Sequence, residues 1–167
     1  MIIRRAVEQD APAVAALIND MVRGSLITFT VEERDPEQVA EQIRRSGPRF
    51  LVAEEAGEVL GYASYKPFRE GPGYRHSAEH SILLAPAAHG RSTGRVLMNR
   101  LEDIAVRDEI HVLIAGISSA NPAAVGFHKA LGFEEVGRMP QVGRKWDQWL
   151  DLVLMQKILA ADGKTLT

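Results

Sequence analysis

The chain has 167 residues, 46% hydrophobic and 25% charged, with a formal net charge of −2. That length buries the core of one domain, and the composition excludes a disordered chain; the near-neutral charge argues against a general nucleic-acid binder. There is no cysteine, which excludes disulfides, cysteine-ligated zinc, a cysteine nucleophile and transfer through a cysteinyl thioester. No apolar run reaches the roughly 18 residues of a membrane span. Met1-Ile2-Ile3-Arg4-Arg5 leads to Glu8 and Asp10 rather than to an apolar leader, so the expected compartment is the cytoplasm.

Strands and helices alternate along the chain. Ile2-Ile3 reads as a short strand. Asp10 and Pro12 open a helix with Val14, Leu17, Ile18 and Met21 at helical spacing, and Asp35-Pro36 opens a second with Val39 and Ile43 inward, ending near Gly47-Pro48. Phe50 to Glu54 and Val59 to Tyr65 form a hairpin about the turn Glu55-Ala56-Gly57-Glu58. A loop from Pro67 to Gly73 leads to a strand, Ala78 to Leu84, and a helix runs from near Gly94 to about Arg107 with Val96, Leu97, Leu101 and Ile104 as core. Val112 to Ile117 is a buried strand, and Asn121-Pro122 opens a helix that closes at Gly132. Phe133 to Gly137 and Leu150 to Gln156 are the last strands, around a long loop. Residues 1–159 form the expected domain and 160–167 a loosely ordered tail.

The most informative stretch lies between Leu83 and Met98. An apolar strand ends at Leu84, the loop Ala85-Pro86-Ala87-Ala88-His89-Gly90-Arg91-Ser92-Thr93 follows, and a helix begins. The first N–H groups of a helix lack internal partners and sit at its positive end, so they suit an anion, and small residues let a phosphate come close. Arg91 and Arg95 add positive charge. A pyrophosphate is the natural guest; a loop that binds nothing is the alternative. The loop lacks the Gly-Lys-Ser/Thr of a Walker sequence and the Gly-x-Gly-x-x-Gly of a dinucleotide fold.

His89-Gly90-Arg91-Ser92-Thr93-Gly94 resembles the acetyl-CoA loop of the GCN5-related N-acetyltransferases (GNAT), whose usual form is Arg/Gln-x-x-Gly-x-Gly/Ala. Asn121 with Leu131-Gly132-Phe133 resembles that family's second acetyl-CoA segment. Pro67-Phe68-Arg69, Tyr74, Glu79-His80-Ser81, Phe127-His128-Lys129, Val142-Gly143-x-Lys145 and Trp149-Leu150-Asp151 resemble the phosphinothricin and methionine sulfoximine acetyltransferase branch. The likeness runs from about Ile3 to Gln156. His89 stands where Arg or Gln is usual, Ser92 where Gly is usual, Gly71 where a second Arg is common and Asp147 where Gly is common.

The resemblance implies a single-domain α/β GNAT fold: a mixed twisted sheet, helices on both faces, and a splay between the strands at Ile82–Leu84 and Val112–Ile117 that admits the pantetheine of acetyl-CoA. Ile82, Leu83, Leu84, His89, Gly90, Arg91, Ser92, Thr93, Gly94, Arg95, Asn121 and Lys129 are then the expected cofactor residues. The implied activity is direct transfer of acetyl to the amine of a small amino acid or analogue. Other amines (a polyamine, an aminoglycoside, a protein N-terminus) and a non-catalytic acyl-CoA-binding module are the alternatives, and a homodimer is expected.

Acyl transfer to an amine requires that the amine lose a proton and that the leaving thiolate be protonated or stabilised. Glu79 shares a strand face with Ser81 and Leu83 and is the candidate base; an exposed or ion-paired strand glutamate is the plain alternative. His128 can donate to the departing sulfur or bond the substrate, against a plain reading as a packed helix histidine. Arg69 can clamp a carboxylate, with Tyr74 and Phe29 as further substrate contacts. His76 and His80, four apart on a strand and so about 13 Å apart, cannot share a metal, and no metal is expected. Trp146 and Trp149 serve the pocket or a dimer contact.

Overall fold

A computed structural model describes residues 1–159, so the expected tail at 160–167 lies outside the described residues. One seven-stranded sheet holds the chain together, in the order β1-β2-β3-β4-β5-β7-β6. Its strands are β1 (Ile2–Arg5), β2 (Phe50–Glu55), β3 (Glu58–Pro67), β4 (Ser77–Leu84), β5 (Val112–Ser118), β6 (Glu134–Lys145) and β7 (Gln148–Ile158). Helices α1 (Ala11–Gly24) and α2 (Pro36–Ser46) cover one face; α3 (Thr93–Arg107) and α4 (Pro122–Ala130) cover the other. Strand alternation divides the core accordingly. On β2, Phe50 and Val52 pack beneath α1 and α2, while Leu51 between them packs beneath α3.

Every neighbouring pair of strands is antiparallel except β4 and β5. These two are parallel and pair only at Ser77–Val112, Ala78–Leu113 and Glu79–Ile114. Beyond Glu79 and Ile114 both strands continue, to Leu84 and Ser118, without pairing to each other. The expected splay is therefore present, and it opens at Ala115; Val112 to Ile114 still belong to the ladder.

The C-terminal region departs from expectation. The long loop between the last two strands is instead the far part of a hairpin, with β6 twelve residues long. Gly137, Pro140 and Gly143 suggest a break, but β6 is the sheet edge and absorbs them as two irregularities, between Glu135 and Gly137 and between Met139 and Gly143. The Asp151 carboxylate accepts from the Gln141 amide at 3.0 Å and from Arg138 Nε at 2.8 Å across the second irregularity. The hairpin closes through Trp146 and Asp147 at φ 49° and 60°, a left-handed pair usually announced by Asn-Gly.

A pair of imidazoles is buried where β4 and β5 part. His80, directly after the last residue of β4 that pairs with β5, and His128 of α4 are 5% and 3% exposed. Their Nε2 atoms are 2.9 Å apart, and His128 Nδ1 is 2.7 Å from the Ala124 carbonyl. Nδ1 of His128 therefore donates to Ala124, its Nε2 accepts from His80, and His80 Nδ1 is left as a buried lone pair without a partner. Phe133 packs its ring against both. Burial holds both rings neutral: His80 is pushed down to about 3, with His128 beside it adding to the effect, and His128 is lowered as well.

The unfolded chain takes up protons below the ordinary histidine value of about 6.5 while the folded pair refuses them. Stability is thus full above that value and falls as pH drops from about 6.5 toward 3. The melting temperature is expected to fall between pH 7 and pH 5, and more shallowly in His80→Phe; the same slope in that folded variant would place the acid sensitivity elsewhere.

Candidate functional site

The parting of β4 and β5 opens into a cavity of about 1010 Å³. His80 to Leu84 line one side and Ala115 to Ser118 the other. Asn121, Ala124, Phe127 and His128 of the α4 segment close one end, and Met21, Gly24, Ser25, Ile27 and Thr28 of α1 and its following connection form the wall on the opposite sheet face. Backbone groups of β4 and β5 in this gap have no strand partner, so a ligand with amide groups can bond them as a strand would.

At the cavity's far end the loop after β4 turns into α3. Gly90 and Ser92 adopt φ 72° and 62°. Ser92 is the left-handed N-cap, with no side-chain capping bond, and its carbonyl accepts from Val96 N at 3.1 Å. The amides of Thr93, Gly94 and Arg95 are left without intrahelical acceptors. Thr93 is 1% exposed and its hydroxyl oxygen is buried without a partner. A Cβ on Gly94 would stand 3.0 Å from the Phe127 ring, so glycine permits the close packing of α3 against α4. Three free amides, a helix N-terminus and an unsatisfied buried hydroxyl fit a pyrophosphate.

The expected cofactor residues divide in two. Ile82, Leu83, Leu84, His89, Gly90, Ser92, Thr93, Gly94, Arg95 and Asn121 line the cavity. Arg91 and Lys129 lie outside its wall; Arg91 Nη2 is held by both carboxylate oxygens of Glu55, at 2.9 and 2.8 Å. The Asn121 side chain accepts from the Ala124 amide at 3.2 Å and caps α4.

Glu79 is half-buried on the face shared with Ser81 and Leu83, one residue outside the lined stretch and at the last pair before the strands part. His128 lines the cavity, but both its ring nitrogens are engaged, so it meets a ligand only by exchanging its bond to His80. Arg69 and Tyr74 are exposed on the connection between β3 and β4, outside the wall; the Arg69 guanidinium lies 5.5 Å above the Phe68 ring, which Tyr74 meets edge-on. Phe29 also lies outside the wall and packs on Gly143 of β6. His76 accepts from Arg75 at 2.8 Å and donates to the Glu109 carbonyl at 2.6 Å, apart from His80. Among the described residues no three His, Cys, Asp or Glu side chains gather to hold a metal. The sequence sets His80 in the Glu79-His80-Ser81 motif and rejects it as a metal ligand, without pointing to its bond with His128. Nor does it point to Ser118, whose hydroxyl donates to the Leu26 carbonyl at 2.7 Å.

The match to known proteins agrees with this geometry. Residues 16–133 match the model of the acetyltransferase (GNAT) family. An L-methionine sulfoximine/L-methionine sulfone acetyltransferase of Salmonella typhimurium is 40% identical over 159 residues, covering 93% of each chain. A ribosomal-protein-alanine N-acetyltransferase structure from Brucella melitensis superposes with TM-score 0.89 at 46% identity, over 95% of this chain and 100% of that one. An acetyltransferase structure from Salmonella typhimurium with its cofactor acetyl-CoA superposes with TM-score 0.91 at 36% identity, over 99% of this chain and 97% of the other. A parted pair of parallel strands over a helix N-terminus, with a family match across most of the chain, shows that this protein belongs to the GNAT family of acetyltransferases.

Proposed function

We propose that this chain acetylates the primary amine of a small amino acid or analogue, of the methionine sulfoximine or phosphinothricin kind, with acetyl-CoA as donor. The observation that carries it is the cavity at the β4–β5 parting, which runs from a pyrophosphate seat at α3 to His80, one residue from the half-buried Glu79 at the last β4–β5 pair. The 40% identity to a methionine sulfoximine acetyltransferase over nearly both chains supports the substrate class.

Acetyl-CoA supplies an activated acyl thioester when bound. The amides at Thr93 to Arg95 and the Thr93 hydroxyl hold its pyrophosphate, and the open backbone of β4 and β5 aligns its amide-bearing arm. Glu79 takes the proton from the substrate ammonium, directly or through a water. His128 is the candidate donor to the departing sulfur once its Nε2 has given up the bond from His80 and taken the proton that the attacking nitrogen sheds on becoming the amide. Transfer is direct, within a ternary complex, and with no cysteine in the chain no cysteinyl thioester can carry the acetyl group. The same reading gives a cytoplasmic homodimer, and the exposed Val136, Met139, Val142, Trp146 and Trp149 of the edge hairpin support self-association. A second reading, acetylation of a protein N-terminus, is favoured by the 46% identity to the Brucella protein.

Three outcomes test the proposal. Thr93→Val removes a buried hydroxyl that has no partner in the free protein, so the free protein's melting temperature should hold or rise while acetyl-CoA binds roughly 10-fold more weakly; unchanged affinity by calorimetry would remove Thr93 from the pyrophosphate seat. Glu79→Gln is expected to lower kcat roughly 100-fold at pH 7 with acetyl-CoA affinity intact, and wild-type turnover in that variant would leave Glu79 a structural residue. Arg69→Ala should raise KM for methionine sulfoximine about 10–100-fold and leave a matched amine without the carboxyl group nearly unaffected. Equal losses for both would deny the clamp, and turnover of an alanine-initiated peptide in preference to both would favour the second reading.

A further inference from the structure

One motif of the chain, Val142-Gly143-x-Lys145, takes no part in the chemistry above, yet Lys145 is 2% exposed. A buried ammonium is costly without partners. Its Nζ donates to the carbonyls of Val22 at 2.6 Å and Ser25 at 2.7 Å. These close the C-terminal end of α1, where carbonyls lack intrahelical donors and a cation complements the helix dipole. The Trp146 ring lies 4.6 Å from the same ammonium.

Two residues earlier, Gly143 is buried, and a Cβ there would stand 2.5 Å from the Phe29 ring. Phe29 therefore rests directly on glycine backbone. From β5, the Ser118 hydroxyl holds the Leu26 carbonyl. The connection from Ser25 to Asp35 is neither helix nor strand, so its shape depends on these anchors. Ser25, Ile27 and Thr28 of this connection line the cavity.

We propose that Lys145 and Gly143 are positioning residues for the amine: the end of β6 clamps the α1–α2 connection from outside and so sets the shape of the substrate wall. This rests on the reading that the amine enters on the α1 side of the cavity. It gives a C-terminal hairpin, remote from the pyrophosphate seat, control over amine selection without contact to the cofactor.

The test uses Lys145→Met and Gly143→Ala in the full chain, with Lys145→Arg as the conservative variant. In both primary variants KM for methionine sulfoximine is expected to rise at least 10-fold, with the acetyl-CoA dissociation constant within about twofold of wild type; Lys145→Arg should recover part of the loss. Proteolytic cleavage within residues 25–35 should quicken at least 10-fold in Lys145→Met, a readout independent of turnover. Absence of turnover in wild type would overturn the proposed function, while faster cleavage would still uphold the clamp. Unchanged cleavage within residues 25–35, or equal weakening of amine and acetyl-CoA, would overturn the clamp.

Discussion

Two neighbouring strands in the middle of a sheet normally satisfy each other's backbone along their whole length, because an unpaired amide or carbonyl away from water is costly. Here β4 and β5 stop doing so after three pairs. The gap-facing amides and carbonyls from His80 to Leu84 and from Ala115 to Ser118 must find other partners, and a ligand with strand-like amides is one that also fills the gap. The helices and loops around the parting are arranged about that opening. Helix α3 begins at the far end with three free amides, α4 closes one end with Phe127 and His128, and the connection after α1 walls the other face. Antiparallel pairing on both outer sides, β3 on β4 and β7 on β5, keeps the two strands from closing on each other.

Among the described residues, most of the buried polar side chains cluster near that opening, apart from Asp10, held by Arg4, and Ser64 of β3. His80 and His128 sit where the strands separate, Thr93 is at the helix start, Ser118 is at the end of β5, and Lys145 holds the end of α1. Core positions elsewhere are filled by Val, Leu, Ile, Ala, Phe, Met and Tyr. Buried polar atoms that are satisfied rigidify their surroundings, and one left unsatisfied on a cavity wall can take a ligand. Lys145 and Ser118 belong to the first kind; the Thr93 hydroxyl belongs to the second. The exposed ion pairs, such as Arg44 with Glu8, Glu37 and Glu41, lie on the α2 surface and contribute little by comparison.

Hydrophobic periodicity made the helices, the β2–β3 hairpin and β4 readable, because each buries one face or one stripe. The small-residue loop before α3 also announced itself. The β6–β7 hairpin did not: Pro140 and Gly143 are breakers in a central strand but harmless on an edge, and Trp146-Asp147 carries no turn signal although both adopt positive φ. Side-chain engagement was also hidden. Arg91 reads as a free cation on an anion loop, yet Glu55, 36 residues away, holds it. Asn121 reads as a ligand contact and serves α4 as its cap as well. His128 reads as a free imidazole, but its partner lies 48 residues back on β4. Such pairings depend on sheet order, which local sequence does not carry.

The central claim is that the gap between β4 and β5, together with the start of α3, is the acetyl-CoA site. Backbone amide NMR during an acetyl-CoA titration tests it most directly. The account predicts the largest shifts at Ile82 to Leu84, Gly90, Thr93 to Arg95 and Ala115 to Ser118, with the α2 helix and the tip of the β6–β7 hairpin quiet. Saturable binding that leaves those resonances in place and moves a surface elsewhere would contradict it.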